Sequence, residues 1–205
     1  MKIICVGMNY ADHNKEMKNT ATNGEPTIFL KSDSSLLKDG KPFFIPDFSS
    51  EIHYETEIVV KIDKLGKNIA ERFAHRYYST VTVGIDFTAR DLQNKLREAG
   101  MPWELSKAFD NSAAIGKFVP LSSLKEGIDN LSFRLDINGN IVQNSNTENM
   151  IFKTNQIIAY ISRFFTLKIG DLIYTGTPAG VGCIKINDHL EGYINEHKLL
   201  DLYIK

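Results

Sequence analysis

The clearest periodicity in the chain lies at residues 131–137, where Leu131, Phe133, Leu135 and Ile137 alternate with Ser132, Arg134 and Asp136. Side chains two apart share one face of an extended chain, so this run predicts a strand with one buried and one solvated face. Asn138-Gly139 supplies the positive-φ residues of a tight hairpin turn, and residues 141–143 return beside it. Further strands are predicted at residues 2–6, 27–30, 57–62, 81–86, 171–175, 182–186 and 199–204. Helical periodicity is rarer. Ile157, Ile158, Ile161, Phe164 and Phe165 share one face of a helix predicted over residues 154–165. Thr88-Ala89-Arg90-Asp91 resembles a capping box with Asp in place of Glu, and Gly100-Met101-Pro102 ends the helix it opens. Strands outnumber helices and do not alternate regularly with them, which favours an α+β, β-rich fold over a doubly wound sheet. Residues 9–26 are polar and predict a loop or a short exposed helix. With little to bury, residues 11–25 are expected to be mobile without ligand and to close as a lid over one.

Composition narrows the class. The 205 residues carry 24 Lys plus Arg against 25 Asp plus Glu, a formal net charge of −1, which lacks the bulk attraction a general nucleic-acid binder needs. No apolar run approaches the ~20 residues of a membrane span, and the apolar start at residues 3–6 is too short for a signal peptide. A soluble, cytoplasmic protein without nucleic-acid or membrane partners is expected. Neither repeat nor linker interrupts the chain, so residues 1–205 read as a single domain. Cys5 and Cys183 stand far apart beside apolar residues and predict buried, reduced thiols.

Three groups of residues carry candidate chemistry. In His53-Tyr54-Glu55-Thr56-Glu57 the two glutamates share a face of an extended chain, and residues 81–86 form an apolar run ending in Asp86. An isolated pair of this kind is a solvated edge, but three carboxylates at the ends of two buried strands make a hard, all-oxygen site. Such a site suits Mg²⁺, Mn²⁺ or Ca²⁺; zinc lacks the thiolates or paired imidazoles it favours. His13 and Glu16 can meet on one helical turn, either as a surface ion pair or as a base oriented by a carboxylate. Residues 175–182 contain three glycines and form either a simple turn or a loop whose N–H groups hold an anionic oxygen. The loop lacks the Gly-Lys-Ser/Thr ending of a P-loop.

Taken in order, Val6-Gly7-Met8-Asn9-Tyr10-Ala11-Asp12-His13, Glu55-x-Glu57, the block from Gly84 to Gln93 and the glycine-rich stretch Thr175-Gly176-Thr177-Pro178-Ala179-Gly180-Val181-Gly182 resemble the fumarylacetoacetate hydrolase family, in particular its short acylpyruvase and oxaloacetate decarboxylase members. The resemblance extends over nearly the whole chain. It implies a β-rich roll of mixed sheets with a few flanking helices, usually a homodimer. It also implies that Glu55, Glu57 and Asp86 bind Mg²⁺ or Mn²⁺, with Ca²⁺ as a substitute. His13, oriented by Glu16, would activate water, and Lys107 would reach substrate oxygens. Arg90, Gln93 and Thr177 would contact the substrate, a small 2-oxo acid.

The implied activity is metal-dependent hydrolysis of a C–C bond in acylpyruvates such as fumarylpyruvate or acetylpyruvate, with decarboxylation of oxaloacetate as a further reaction. The alternative within the family is isomerisation of 2-hydroxyhepta-2,4-diene-1,7-dioate. Outside it, a metal-dependent nuclease and a non-catalytic metal or metabolite binder compete; the near-neutral charge counts against the first, and the intact His13, Glu16 and Lys107 against the second. Position 8 departs from the pattern, with Met where related short members usually carry Arg before Asn-Tyr. The departure bears on how a distal substrate carboxylate is held rather than on the metal ligands.

Overall fold

The computed structural model describes residues 1–17, 24–38 and 40–205. A curled, mixed sheet of eight strands carries the framework. Its order is Thr27–Lys31, Ile3–Gly7, Leu172–Tyr174, Thr56–Ile62, Tyr78–Asp86, Ala113–Ile115 and Leu36–Leu37, with Val119–Pro120 paired near the start of Tyr78–Asp86. Ile3–Gly7 runs parallel to Leu172–Tyr174, and Leu36–Leu37 parallel to Ala113–Ile115; the other neighbours are antiparallel. The central strands read as unbroken apolar runs because both faces of the sheet are covered. Ile4, Val6, Ile58, Val60, Val83 and Ile85 face the main core, while Ile3, Cys5, Val59, Leu172 and Tyr174 face a smaller one.

The hairpin predicted around Asn138-Gly139 is present. Ser132–Ile137 and Asn140–Asn146 pair antiparallel, and His189–Ile194 and His197–Tyr203 complete a four-stranded sheet. Asn138 and Gly139 have φ of 53° and 78°, as a two-residue hairpin turn requires. Leu131, Phe133 and Leu135 are buried, as their alternation predicts. The helix Thr154–Phe164 buries Ile157, Ile158 and Ile161. Phe164, expected on that buried face, is exposed instead and packs edge-on against Tyr160.

A small sheet of Gly182–Cys183, Ile52–Tyr54 and Thr88–Ala89 matters most for the site, because it sets His53 opposite Thr88. It also accounts for three corrections. Thr88 lies in a strand and does not cap the following helix, Arg90–Glu98, whose N-cap is Ala89. The strand expected over residues 182–186 is only Gly182–Cys183 long, and Cys183 is exposed rather than buried. Cys5 is buried as expected.

The polar stretch after the first strand begins as a helix, Ala11–Glu16, whose residue His13 is buried. Residues 18–23 of the segment predicted to be mobile lie outside the described residues. Among the described residues, no helix is long and apolar enough to cross a membrane.

Candidate active site

Glu55 joins the strands Ile52–Tyr54 and Thr56–Ile62, and Glu57 follows on the same side. The next strand pairs Glu57 with Gly84, and the Asp86 N–H donates to the Glu55 carbonyl at 2.8 Å. Alternation along both strands therefore turns Glu55, Glu57 and Asp86 toward one place. One ligand oxygen of each lies within 4.8 Å of the others, and all three residues are buried.

Burying three carboxylates requires compensation, which three cations supply. Lys107 Nζ donates to Glu55 Oε2 at 2.7 Å, Asp86 Oδ2 at 2.8 Å and Thr88 Oγ1 at 2.6 Å. Arg90 pairs with Glu55 and donates to Gln93 Oε1. Lys31 Nζ lies 2.7 Å from Asp86 Oδ1, and its hydrogen bonds go to Ser112 and to the carbonyls of Phe87 and Lys107. Asp86 Oδ1 is buried and, beyond the Lys31 ammonium, has no partner among the described residues.

The three groups respond differently to this field. Burial alone would raise the Glu55 carboxyl, but Lys107 and Arg90 hold it well below the usual carboxylate range. Burial pushes Glu57 well above that range, and the negative charge of Asp86 adds to the effect. Burial would lower the Lys107 ammonium, but Asp86 and Glu55 keep it above its ordinary value. Two acids with opposite shifts beside a charged lysine are an arrangement in which a divalent cation, replacing a proton, relieves the strain on Glu57.

The glycine-rich loop acts on the protein's own carboxylates. Gly176 N–H donates to Glu57 Oε2 at 2.6 Å. Gly180 N–H reaches both oxygens of Glu16, at 3.1 and 3.3 Å. Both glycines have left-handed φ, 104° and 99°, and a Cβ would come within 2.7 Å of Asn9 Cβ at the first and 2.6 Å of the Val142 carbonyl at the second. Glu16 Oε2 in turn lies 3.2 Å from His13 Nδ1. With Nδ1 engaged, the other imidazole nitrogen is available as a base.

A cavity of about 240 Å³ gathers these groups. Eight of the nine residues singled out in the sequence line it: His13, Glu55, Glu57, Asp86, Arg90, Gln93, Lys107 and Thr177. Glu16 stands behind His13. Phe29, Trp103, Met8 and Met17 form apolar wall. Met8 has a φ of 60°, unusual for a residue with a side chain, and its carbonyl accepts from Asn14 Nδ2 at 2.9 Å. Two buried residues at the site carry no signal in the sequence read alone. Lys31 supports Asp86, and Gln143 joins Thr56, Thr177 and Pro178. Each sits among residues that read as ordinary strand.

The fold and this cavity define a β-rich roll with a pocket lined by buried carboxylates, their cations and a histidine. The chain belongs to the fumarylacetoacetate hydrolase family: the model of the fumarylacetoacetate (FAA) hydrolase C-terminal region matches residues 2–204. It is 41% identical over 193 residues to the mitochondrial oxaloacetate tautomerase FAHD1 of Mus musculus, covering 94% of this chain and 86% of that protein. It is 39% identical over 198 residues to the oxaloacetate tautomerase YcgM of Escherichia coli (strain K12), covering 97% and 90%. Among solved structures, fumarylpyruvate hydrolase from Pseudomonas aeruginosa in complex with Mn²⁺ and pyruvate superimposes with a TM-score of 0.92. It is 34% identical, and the match covers 100% of this chain and 89% of that one.

Proposed function

We propose that this chain is a divalent-metal-dependent enzyme of small 2-oxo acids. Its first candidate reaction is tautomerisation or decarboxylation of oxaloacetate, and its second is C–C hydrolysis of acylpyruvates. The order departs from the sequence expectation because the curated relatives carry oxaloacetate names. Fumarylpyruvate hydrolase, bound to Mn²⁺ and pyruvate, supports the second reading. The observation that carries the proposal is the convergence of three buried carboxylates, Lys107, Thr177 and the His13–Glu16 pair on one cavity.

The residues present fit a hard divalent cation. The donor set is all oxygen and buried, and among the described residues no lysine or arginine pairs with Glu57. Glu55, Glu57 and Asp86 would hold Mg²⁺ or Mn²⁺, with Ca²⁺ as a substitute. The bound cation supplies positive charge against the carboxylate and 2-oxo oxygens of the substrate. Lys31, Arg90 and Lys107 equal the three carboxylates in number, but their ion pairs go to Glu55 and Asp86, and among the described residues none reaches Glu57. A dication added to these six groups would leave an excess of positive charge, which suits an anionic 2-oxo acid.

The chain's own groups divide the remaining work. Lys107 holds the carboxylates in place and presents positive charge to a substrate oxygen that becomes negative as the enolate forms. Thr177 offers a hydroxyl to the substrate carboxylate, and Arg90 and Gln93 close the neighbouring wall. His13, oriented by Glu16, takes or returns a proton, at C3 for tautomerisation or from water for hydrolysis. Decarboxylation needs no such base. The apolar wall of Phe29, Trp103 and the two methionines excludes water from the reacting centre. A homodimer is part of this reading, supported by exposed apolar side chains such as Phe44, Phe48 and Leu105. A cytoplasmic location agrees with two free cysteines.

The test is turnover of oxaloacetate, acetylpyruvate and fumarylpyruvate with Mg²⁺ or Mn²⁺ and with EDTA. Metal-dependent turnover of at least one is expected. No turnover of any, or turnover undiminished by EDTA, overturns the reading.

A further inference from the structure

Gln143 lies on the returning hairpin strand, Asn140–Asn146, and its side chain is buried. Its Oε1 accepts from the Thr56 N–H, between Glu55 and Glu57, at 2.9 Å. Its Nε2 donates to the Pro178 carbonyl and to Thr177 Oγ1, each at 2.9 Å. A backbone N–H meets only an acceptor and a carbonyl only a donor, so Thr56 and Pro178 together fix which end of the amide is oxygen. Both amide protons are thereby assigned, and Thr177 Oγ1 is the acceptor in its contact. The threonine keeps its own proton, and among the described residues that proton has no protein acceptor. Thr177 lines the cavity.

We propose that Gln143 is a positioning residue for the substrate site. By donating to Thr177 Oγ1 it turns the threonine's proton into the cavity, where the hydroxyl donates to an anionic oxygen of the bound 2-oxo acid. This rests on the reading of Thr177 as a substrate contact and adds what sets the hydroxyl's polarity. The same amide ties the glycine-rich loop to the backbone between two candidate metal ligands, so the two halves of the site keep one spacing.

The test uses Mn²⁺ and oxalate as probes, with affinities measured by calorimetry. Gln143→Glu keeps the shape and the acceptor for Thr56 N–H but replaces the amide donors, so Thr177 donates back to the new carboxylate. Oxalate affinity of the Mn²⁺-loaded protein should fall about 10–100-fold, as for loss of a hydrogen bond to a charged group. Mn²⁺ affinity without oxalate should not fall, since the added carboxylate does not oppose a cation. Thr177→Val should lose as much, Thr177→Ser should keep its affinity, and the Gln143→Glu/Thr177→Val double variant should lose no more than the larger single loss. Additive losses, full oxalate affinity in Gln143→Glu, or an equal fall in Mn²⁺ affinity would overturn the positioning role. Wild-type oxalate affinity in Thr177→Val would instead overturn the substrate-contact reading on which it rests. Should Gln143→Glu not fold, Gln143→Met enters the same cycle, with a smaller loss and the same non-additivity expected.

Discussion

Lys31 Nζ stands 2.7 Å from Asp86 Oδ1, and neither side chain is exposed at all. The first comes from a strand at the edge of the eight-stranded sheet and the second from one inside it, 55 residues later, and the lysine also binds the carbonyls of Lys107 and Ser112. One ammonium thus supports a candidate metal ligand from below and anchors the chain around the lysine above it. Removing one partner of such a pair leaves a charge stranded in an apolar interior. Lys31→Met should therefore destabilise the protein by about 3–5 kcal/mol, and adding Asp86→Asn should recover part of the loss. Urea denaturation of the single and double variants checks this. A single-variant loss within ±0.5 kcal/mol, the scale of an ordinary surface change, would contradict it.

Glu57→Gln preserves size and the acceptor for Gly176 N–H while removing a charge that burial already disfavours. Two remaining carboxylates do not offset the lost hydration of a small dication. The variant should stay folded, with a melting temperature near that of the metal-free parent, and should lose tight Mn²⁺ binding. Mn²⁺ titration followed by electron paramagnetic resonance decides the matter; parental affinity would remove Glu57 from the ligand set.

His13→Ala should cost about 10²–10⁴-fold in any reaction that needs its proton transfer. Acylpyruvate hydrolysis and oxaloacetate tautomerisation belong to that class, whereas decarboxylation should lose less. Side-by-side rates on the three reactions make the comparison. Equal losses in all of them would leave His13 a positioning role only.

Asp91 ties the segment before the Glu55 strand to the helix that carries Arg90 and Gln93. It accepts from Ser49 Oγ at 2.6 Å, Ser50 N at 3.0 Å and Leu92 N at 2.8 Å. Slight burial pushes its carboxyl up, but these hydrogen bonds outweigh it and hold the group below its ordinary 3.8. A carboxyl lowered by folding contributes stability above its unfolded value and loses it as pH falls through the folded one. Asp91→Asn should accordingly lower the melting temperature at pH 7, and the gap to the parent should close in acid below 3.8. A gap independent of pH would show that the carboxylate charge contributes nothing.

Much of the site could be read locally. The alternation of an extended chain puts Glu55 and Glu57 on one side, and an apolar run ending in Asp86 brings a third acid to the end of a buried strand. One helical turn brings His13 and Glu16 together. Each of these relations spans a few residues and obeys a fixed period, so sequence spacing suffices. The hairpin at Asn138-Gly139 was legible for the same reason, since two residues with left-handed φ carry the whole turn.

What lay beyond the sequence depended on partners far along the chain. Lys31 directly follows the strand predicted at residues 27–30 and carries no signal of its own, yet Asp86, 55 residues later, pairs with it in the interior. Gln143 reads as the polar end of a hairpin, until Thr56, Thr177 and Pro178 arrive from 87, 34 and 35 residues away and engage its carbonyl and both its amide protons. Thr88 matched a helix cap, but pairing with His53 drew it into a strand, where its hydroxyl serves Lys107. Which acids, base and glycines exist, and which of them share a face, follows from residue order alone, because covalent geometry sets those relations. Tertiary structure decided which cations neutralise the acids and which amide orients Thr177, because a buried charge or hydroxyl is satisfied only by groups that folding brings within about 3 Å.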